Sequence, residues 1–193
     1  MKCTAIYICL AALLVASCSK APVQDDSETF IAFEDQAFKD YCLWLFDKDG
    51  DGEISLEEAK EVKSIIVNRT SMFSPAGPSV FTSLRGIEYF CNLENLVCPS
   101  NVLTSLDVSQ NKALRQLYCE NNHLTSLDVS RCSTLIELIC ESNELTSLDV
   151  SDNPKLALLW CKENPALSEI WLKSGQTLSS LLYDENVATI KYK

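Results

Sequence analysis

The sequence predicts a mostly β fold, a short right-handed solenoid of parallel strands closed at its N-terminal end by a small helical unit. Two observations carry this. Cys98, Cys119, Cys140 and Cys161 stand 21 residues apart, each inside the same phrase: LENLVCPSNVL, LRQLYCENNHL, LIELICESNEL, LALLWCKENPA. A fixed period of this length means stacked coils, because one coil cannot bury its apolar side alone. Upstream, Phe38, Tyr41, Cys42, Leu45 and Phe46 recur at helical spacing and lead into an acidic twelve-residue loop.

The repeat contains a shorter one. Leu96, Leu106, Leu117, Leu127, Leu138, Leu148 and Leu159 are separated by gaps that alternate between 10 and 11. The column two residues on alternates Cys and Val, from Cys98 and Val108 to Val150 and Cys161. A third column is Asn101, Asn111, Asn122, Asn143, Asn153 and Asn164, broken where Cys132 replaces an Asn. Each half-coil therefore reads as a short strand, with Leu and Cys or Val inward by two-residue alternation. Each Asn is expected to turn inward at a corner and satisfy backbone groups of adjacent coils. With no room for a helix on its back, the coil should form two parallel sheets, or one sheet faced by extended segments. The phrase LxxLxCxxNxL, from about Leu84 to Leu172, resembles the short leucine-rich repeats with nested 10 and 11 periods of bacterial surface proteins.

In chain order, residues 1–17 have one early lysine and an apolar run from Thr4 to Ala16, too short for a bilayer span but suited to a signal peptide. Val15-Ala16-Ser17-Cys18 resembles a bacterial lipobox, which implies cleavage before Cys18 and its lipidation, and so a membrane anchor. Ser19 is not the Asp that retains enteric lipoproteins at the inner membrane, so the resemblance implies an outer-membrane lipoprotein, with surface exposure as an open alternative. Residues 18–31 read as a flexible tether, polar and without apolar periodicity over Lys20 to Glu28.

Residues 32–63 hold the clearest chemical motif. Asp47-Lys48-Asp49-Gly50-Asp51-Gly52-Glu53-Ile54-Ser55-Leu56-Glu57-Glu58 fits a twelve-residue EF-hand loop at every diagnostic position. Hard Ca²⁺ takes oxygen ligands: the carboxylates of Asp47, Asp49 and Asp51, the carbonyl of Glu53, Ser55 directly or through water, and Glu58 bidentately. Ile54 anchors the loop, yet no second DxDxDG exists to pair with it. Ser83 to Phe90 looks like the first turn of internalin-type repeats, whose N-terminal caps are EF-hand-like helical units. That resemblance implies a calcium-stabilised cap over residues 32–63.

Residues 64–92 should supply a first strand, Val62 to Val67, an insertion loop around Ser71 to Thr82 and the run-in to the repeats. The repeats occupy 93–172, and residues 173–193, where the phrase lapses, should form a C-terminal cap. Loss of Cys3 and Cys9 with the signal and of Cys18 to lipid leaves seven of the ten cysteines. Four form the inward column, where parallel Cβ vectors oppose disulfides and a spacing of 21 is unlike zinc-ligand spacing, so free buried thiols are expected.

The two half-coils expose different residues. Val97, Tyr118, Ile139 and Trp160 form an outward apolar column, a candidate binding face for a protein or, through Tyr118 and Trp160, a glycan. At the matching place in the other half stand Asp107, Asp128 and Asp149, expected to cap local backbone. The net charge of −11, or −12 once Lys2 leaves with the signal, excludes nucleic acid and anionic lipid surfaces as partners. Catalysis finds no support, since the single histidine, His123, has no nucleophile or phosphate loop beside it. Three functions remain open: a protein-interaction module at the cell envelope, a glycan-binding surface protein, and a calcium-responsive regulator.

Overall fold

In a computed structural model, the described residues are 30–67 and 80–193. The signal peptide, Cys18, most of the tether and most of the insertion loop lie outside them. Helix α1, Gln36–Phe46, starts at Asp35, whose carboxylate accepts from the N–H groups of Ala37 and Phe38. It buries Phe38, Tyr41 and Cys42, the one-sided set that its spacing dictates. Helix α2, Leu56–Glu61, is only six residues long and is fixed by a capping box between Ser55 and Glu58.

Among the described residues nine strands follow: β1 Ser64–Ile66, β2 Asn95–Val97, β3 Gln116–Tyr118, β4 Glu137–Ile139, β5 Ser147–Asp149, β6 Leu158–Trp160, β7 Glu169–Leu172, β8 Ser180–Leu182 and β9 Thr189–Tyr192. All pairings between them are parallel, in one six-stranded sheet ordered β1-β2-β3-β4-β6-β8 and one three-stranded sheet ordered β5-β7-β9. The chain is thus a leucine-rich-repeat solenoid with a small helical N-terminal part.

Leu96, Leu117, Leu138 and Leu159 pair in register and are fully buried, as are Cys98, Cys119 and Cys140 behind them. All seven cysteines of the described residues are free, and the column Cys98, Cys119, Cys140, Cys161 is buried. Burial pushes the Cys119 thiol far above its ordinary range and raises the other three thiols in the same direction, so they stay neutral core groups.

The asparagines close the corners. Asn122 donates to the carbonyls of Cys98, Cys119 and Glu120, and its Oδ1 accepts from Leu103 N–H at 3.1 Å. Asn143 and Asn164 repeat this geometry one coil on each time. The residue before each first-half asparagine, Ser100, Asn121, Ser142 or Glu163, adopts a left-handed φ of 52–57° to make the turn. Cys132, in an asparagine place, points its thiol at the carbonyls of Val108 and Asn111 at 3.6 and 3.8 Å.

Two boundaries differ from the sequence reading, and the choice between two sheets and one sheet faced by extended segments resolves along the chain: the second half is a paired strand in its last three coils, while residues 106–108 and 127–129 carry no ladder. Leu106 and Leu127 there keep 8% and 7% exposure against 1% for Leu148 in β5. Residues 173–193 are a further coil, carrying β8 and β9 onto both sheets, although the leucine phrase has lapsed. Phe30 and Ile31, at the end of the tether, pair with the end of the acidic loop: Phe30 bridges Ser55, and Ile31 N–H donates to Ile54 carbonyl at 2.9 Å. The chain itself therefore supplies the pairing that a second loop would otherwise give Ile54.

The helical N-terminal part is locked to the repeats at four points. The second Asp35 oxygen accepts from Thr82 N–H and Thr82 hydroxyl, each at 2.7 Å, tying the start of α1 to the run-in. Gly86, at φ 109°, lies so close to Phe33 that a Cβ would sit 2.8 Å from its ring. Phe81, returning from the insertion, stacks edge-on against Phe38 and Tyr41. Tyr41 hydroxyl both donates to Ile66 carbonyl and accepts from Ile66 N–H, which covers the free edge of β1.

Candidate functional site

The apolar column is continuous. Register places Val97 beside Tyr118, Tyr118 beside Ile139, and Ile139 beside Trp160, all half-buried. It also extends one rung each way: Ile66 pairs with Val97 and Leu182 with Trp160. These end residues are 48% and 38% exposed. Six apolar side chains in a row therefore cross the whole six-stranded sheet. The sequence reading found only the four inside the repeated phrase, because the interval before Val97 is lengthened by the insertion and the final coil is one residue longer.

The polar ends of the two large aromatics are engaged within the chain. Tyr118 hydroxyl donates to Glu137, which also accepts from Gln116 Nε2 at 3.0 Å, and Trp160 Nε1 donates to Ser180 Oγ at 2.9 Å. The bond to Glu137, with burial, raises the Tyr118 phenol to about 12, so it stays a protonated donor. Their orientation is fixed by the chain, which leaves apolar surface rather than free polar groups to a ligand.

Along one margin of this stripe run Glu120, Glu141, Lys162 and Asp184. Burial raises both glutamates above their ordinary range, and the field of Glu163, Glu120 and Asp184 adds to the shift at Glu141.

The opposite half-coil behaves as expected. Asp107, Asp128 and Asp149 each accept from the N–H two residues ahead, on Ser109, Ser130 and Ser151, at 2.9–3.0 Å. These are local turn caps.

In the acidic loop, single oxygens of Asp47, Asp49 and Glu58 lie within 4.8 Å of one another. The loop is shaped by its own bonds: Asp47 accepts from Gly50 and Gly52 N–H, and Asp51 accepts from Glu53 N–H. Gly50 and Gly52, at φ 76° and 85°, make turns that a side chain would resist. Glu58 closes the loop from α2, accepting from Lys48 N–H at 2.7 Å and from Ser55 N–H and hydroxyl at 2.9 Å. Burial acts to raise the Glu58 carboxyl, but these bonds outweigh it and hold it below its ordinary value. Asp51 is not within this three-carboxylate cluster, and Glu53 turns its side chain to Lys39 while its carbonyl remains the relevant atom. A hard divalent cation suits this set: carboxylate oxygens converging on a glycine-shaped turn. His123 is exposed at a corner, its Nδ1 3.0 Å from Glu144 Oε1.

These features define a class, leucine-rich-repeat solenoids with a buried cysteine ladder. The sequence matches no family model and no curated protein. Among solved structures, the functional domain of InlJ from Listeria monocytogenes, which includes a cysteine ladder, is 33% identical, with a TM-score of 0.53 over 75% of this chain and 35% of that one. The internalin InlF from Listeria monocytogenes is 18% identical, with a TM-score of 0.51 over 83% of this chain and 56% of that one, a likeness of fold alone. The structural neighbours are thus internalin-type leucine-rich-repeat proteins, and the chain spans about a third of the solved InlJ domain and just over half of the solved InlF chain.

Proposed function

We propose that this protein is a non-enzymatic, lipid-anchored interaction module of the bacterial cell envelope, one that presents its six-stranded sheet to a protein ligand and keeps its N-terminal cap closed with calcium. The observation that carries the interaction reading is the unbroken row from Ile66 through Tyr118 and Trp160 to Leu182, an apolar strip on a rigid scaffold. Strips of this kind mark recognition surfaces when rimmed by polar groups. Replacing Tyr118 and Trp160 together by alanine should abolish capture of the ligand from envelope and host-surface extracts while the fold persists. Full capture by that double variant would overturn the assignment, and loss of binding on a glycan array would transfer the face to a sugar.

In the cap, Asp47, Asp49 and Glu58 would hold Ca²⁺, with Asp51, Ser55 and the Glu53 carbonyl completing the oxygen set. The bound ion supplies positive charge that offsets the repulsion between these carboxylates. At about a hundred times its dissociation constant it would add roughly 2.7 kcal/mol to stability. The melting temperature should therefore fall with EDTA and fall equally in Asp47→Ala without EDTA. A melting curve indifferent to both would remove calcium from the reading. Anchoring rests on Cys18: Cys18→Ala should release the protein from the membrane fraction, and protease shaving of intact cells distinguishes a surface from a periplasmic site. Among the described residues, no helix is long and apolar enough to cross a membrane.

A further inference from the structure

The nature of the ligand can be read further from the margins of the strip, on the premise that the strip is the contact face. Each rung is a separate coil, and paired strands repeat about every 4.8 Å, so six rungs run for about 24 Å along the solenoid axis. The apolar groups lie across the strands rather than along one, so an extended peptide running with a strand would meet only one of them. A helix laid along the axis meets all six, and with a rise of 1.5 Å per residue, about 16 residues span that length.

Charge selects which helix. One margin carries Glu120, Glu141 and Asp184 with Lys162 as the cation in the row, and the other carries Glu137 among Ser64, Asn95, Gln116, Leu158 and Ser180. Glu120 Oε2 is buried and has no hydrogen-bond partner, so this carboxylate adds negative charge to the margin that no bond to this oxygen offsets. Burial raises Glu141 most, and the neighbouring charges of Glu163, Glu120 and Asp184 add to it against Lys162, so a cation brought from outside relieves that repulsion.

We infer that the face seats a cationic amphipathic helix of a partner protein, about 16 residues long, with its apolar side on the row Ile66 to Leu182 and lysine or arginine against Glu120, Glu141 and Asp184.

The test uses three fluorescein-labelled 16-residue peptides and fluorescence anisotropy. One is an amphipathic Leu/Lys helix; one keeps its leucines but has Glu for Lys; one scrambles the Leu/Lys sequence. The cationic helix should bind, and the other two should bind at least tenfold more weakly. Glu120→Gln with Glu141→Gln should weaken binding about tenfold, whereas Glu57→Gln with Asp152→Asn, an equal charge change elsewhere, should leave it unaltered. Ile139→Asp should abolish it, with circular dichroism confirming the fold. Equal binding of the anionic or scrambled peptide, or equal effects of the two charge-matched variants, overturns the inference. So does failure of all three peptides. In that event a photo-crosslinker at position 118 separates the two levels: capture of an envelope or host protein leaves the contact face standing without its helical ligand, and no capture removes both.

Discussion

The two halves of each coil begin from nearly the same phrase and end differently. The first half forms a strand at every level, fills its interior with Leu and Cys, and satisfies both ends of its asparagine amides. The second half fills with Leu and Val, forms strands only in the last three coils, and leaves Oδ1 of Asn111 and Asn153 buried without a partner. Their outward residues differ accordingly: a half-buried apolar row on one side, aspartate turn caps on the other. A continuous ladder holds outward side chains in line, one above the next, and so can display a strip. Extended segments stabilised residue by residue display only their caps. The face suited to recognition is therefore the one whose backbone is regular.

Mutations can break this comparison. The largest expected effect is at the inward leucines: Leu117→Ala, fully buried beneath β3, should cost about 2–5 kcal/mol by urea denaturation, and Leu127→Ala, beneath an unpaired segment, less. Equal losses would mean that the two halves are energetically alike. Next come the corners. Asn122→Ala deprives Leu103 N–H and the carbonyls of Cys98, Cys119 and Glu120 of their partner and should cost about 2–3 kcal/mol. Asn153→Ala removes two donations, to Val129 and Cys132, along with an orphaned oxygen, and should cost about 1 kcal/mol less.

Two smaller effects carry opposite pH dependence. Bonds from Ser130 backbone and side chain hold Asp128 below its ordinary value, so its contribution is present above the unfolded-state value near 3.9 and lost as pH falls through the lowered folded one. Asp128→Ala should therefore cost about 0.5 kcal/mol at pH 7 and almost nothing near pH 2. Burial raises Glu120, so its charged form opposes folding above the unfolded-state value near 4.3, and this penalty fades as pH falls. Glu120→Gln should raise the melting temperature slightly at pH 8 and lose that advantage by pH 4. A Glu120→Gln penalty at pH 8 would show that the buried oxygen has a partner after all.

Much of this was legible beforehand. The 21-residue period placed Leu117, Cys119 and Asn122 in the interior because each repeats at a fixed distance that only stacking explains. Tyr118 and Trp160 followed as outward neighbours, and the aspartates as caps. Other parts left no local signal. Ile66 and Leu182 extend the strip from outside the phrase, one separated by the insertion and the other by a 22-residue step in register. Asp35 looks like an ordinary helix start, yet its second oxygen holds Thr82, 47 residues on. Ile31 reads as the end of a tether until it is seen pairing with Ile54.

By itself, then, the sequence determined what repeats: the coil length, its inward residues, the asparagine corners, and a loop with the donor chemistry for a hard cation. These are set by local pattern, since burial and turn geometry recur with every copy. Only the tertiary structure decided what does not repeat. Where the sheet begins and ends, which half-coil pairs continuously, how the cap is pinned through Asp35, Phe33 and Tyr41, and how far the apolar strip reaches all depend on contacts between distant segments. Such contacts leave no period in the chain, because each is made once.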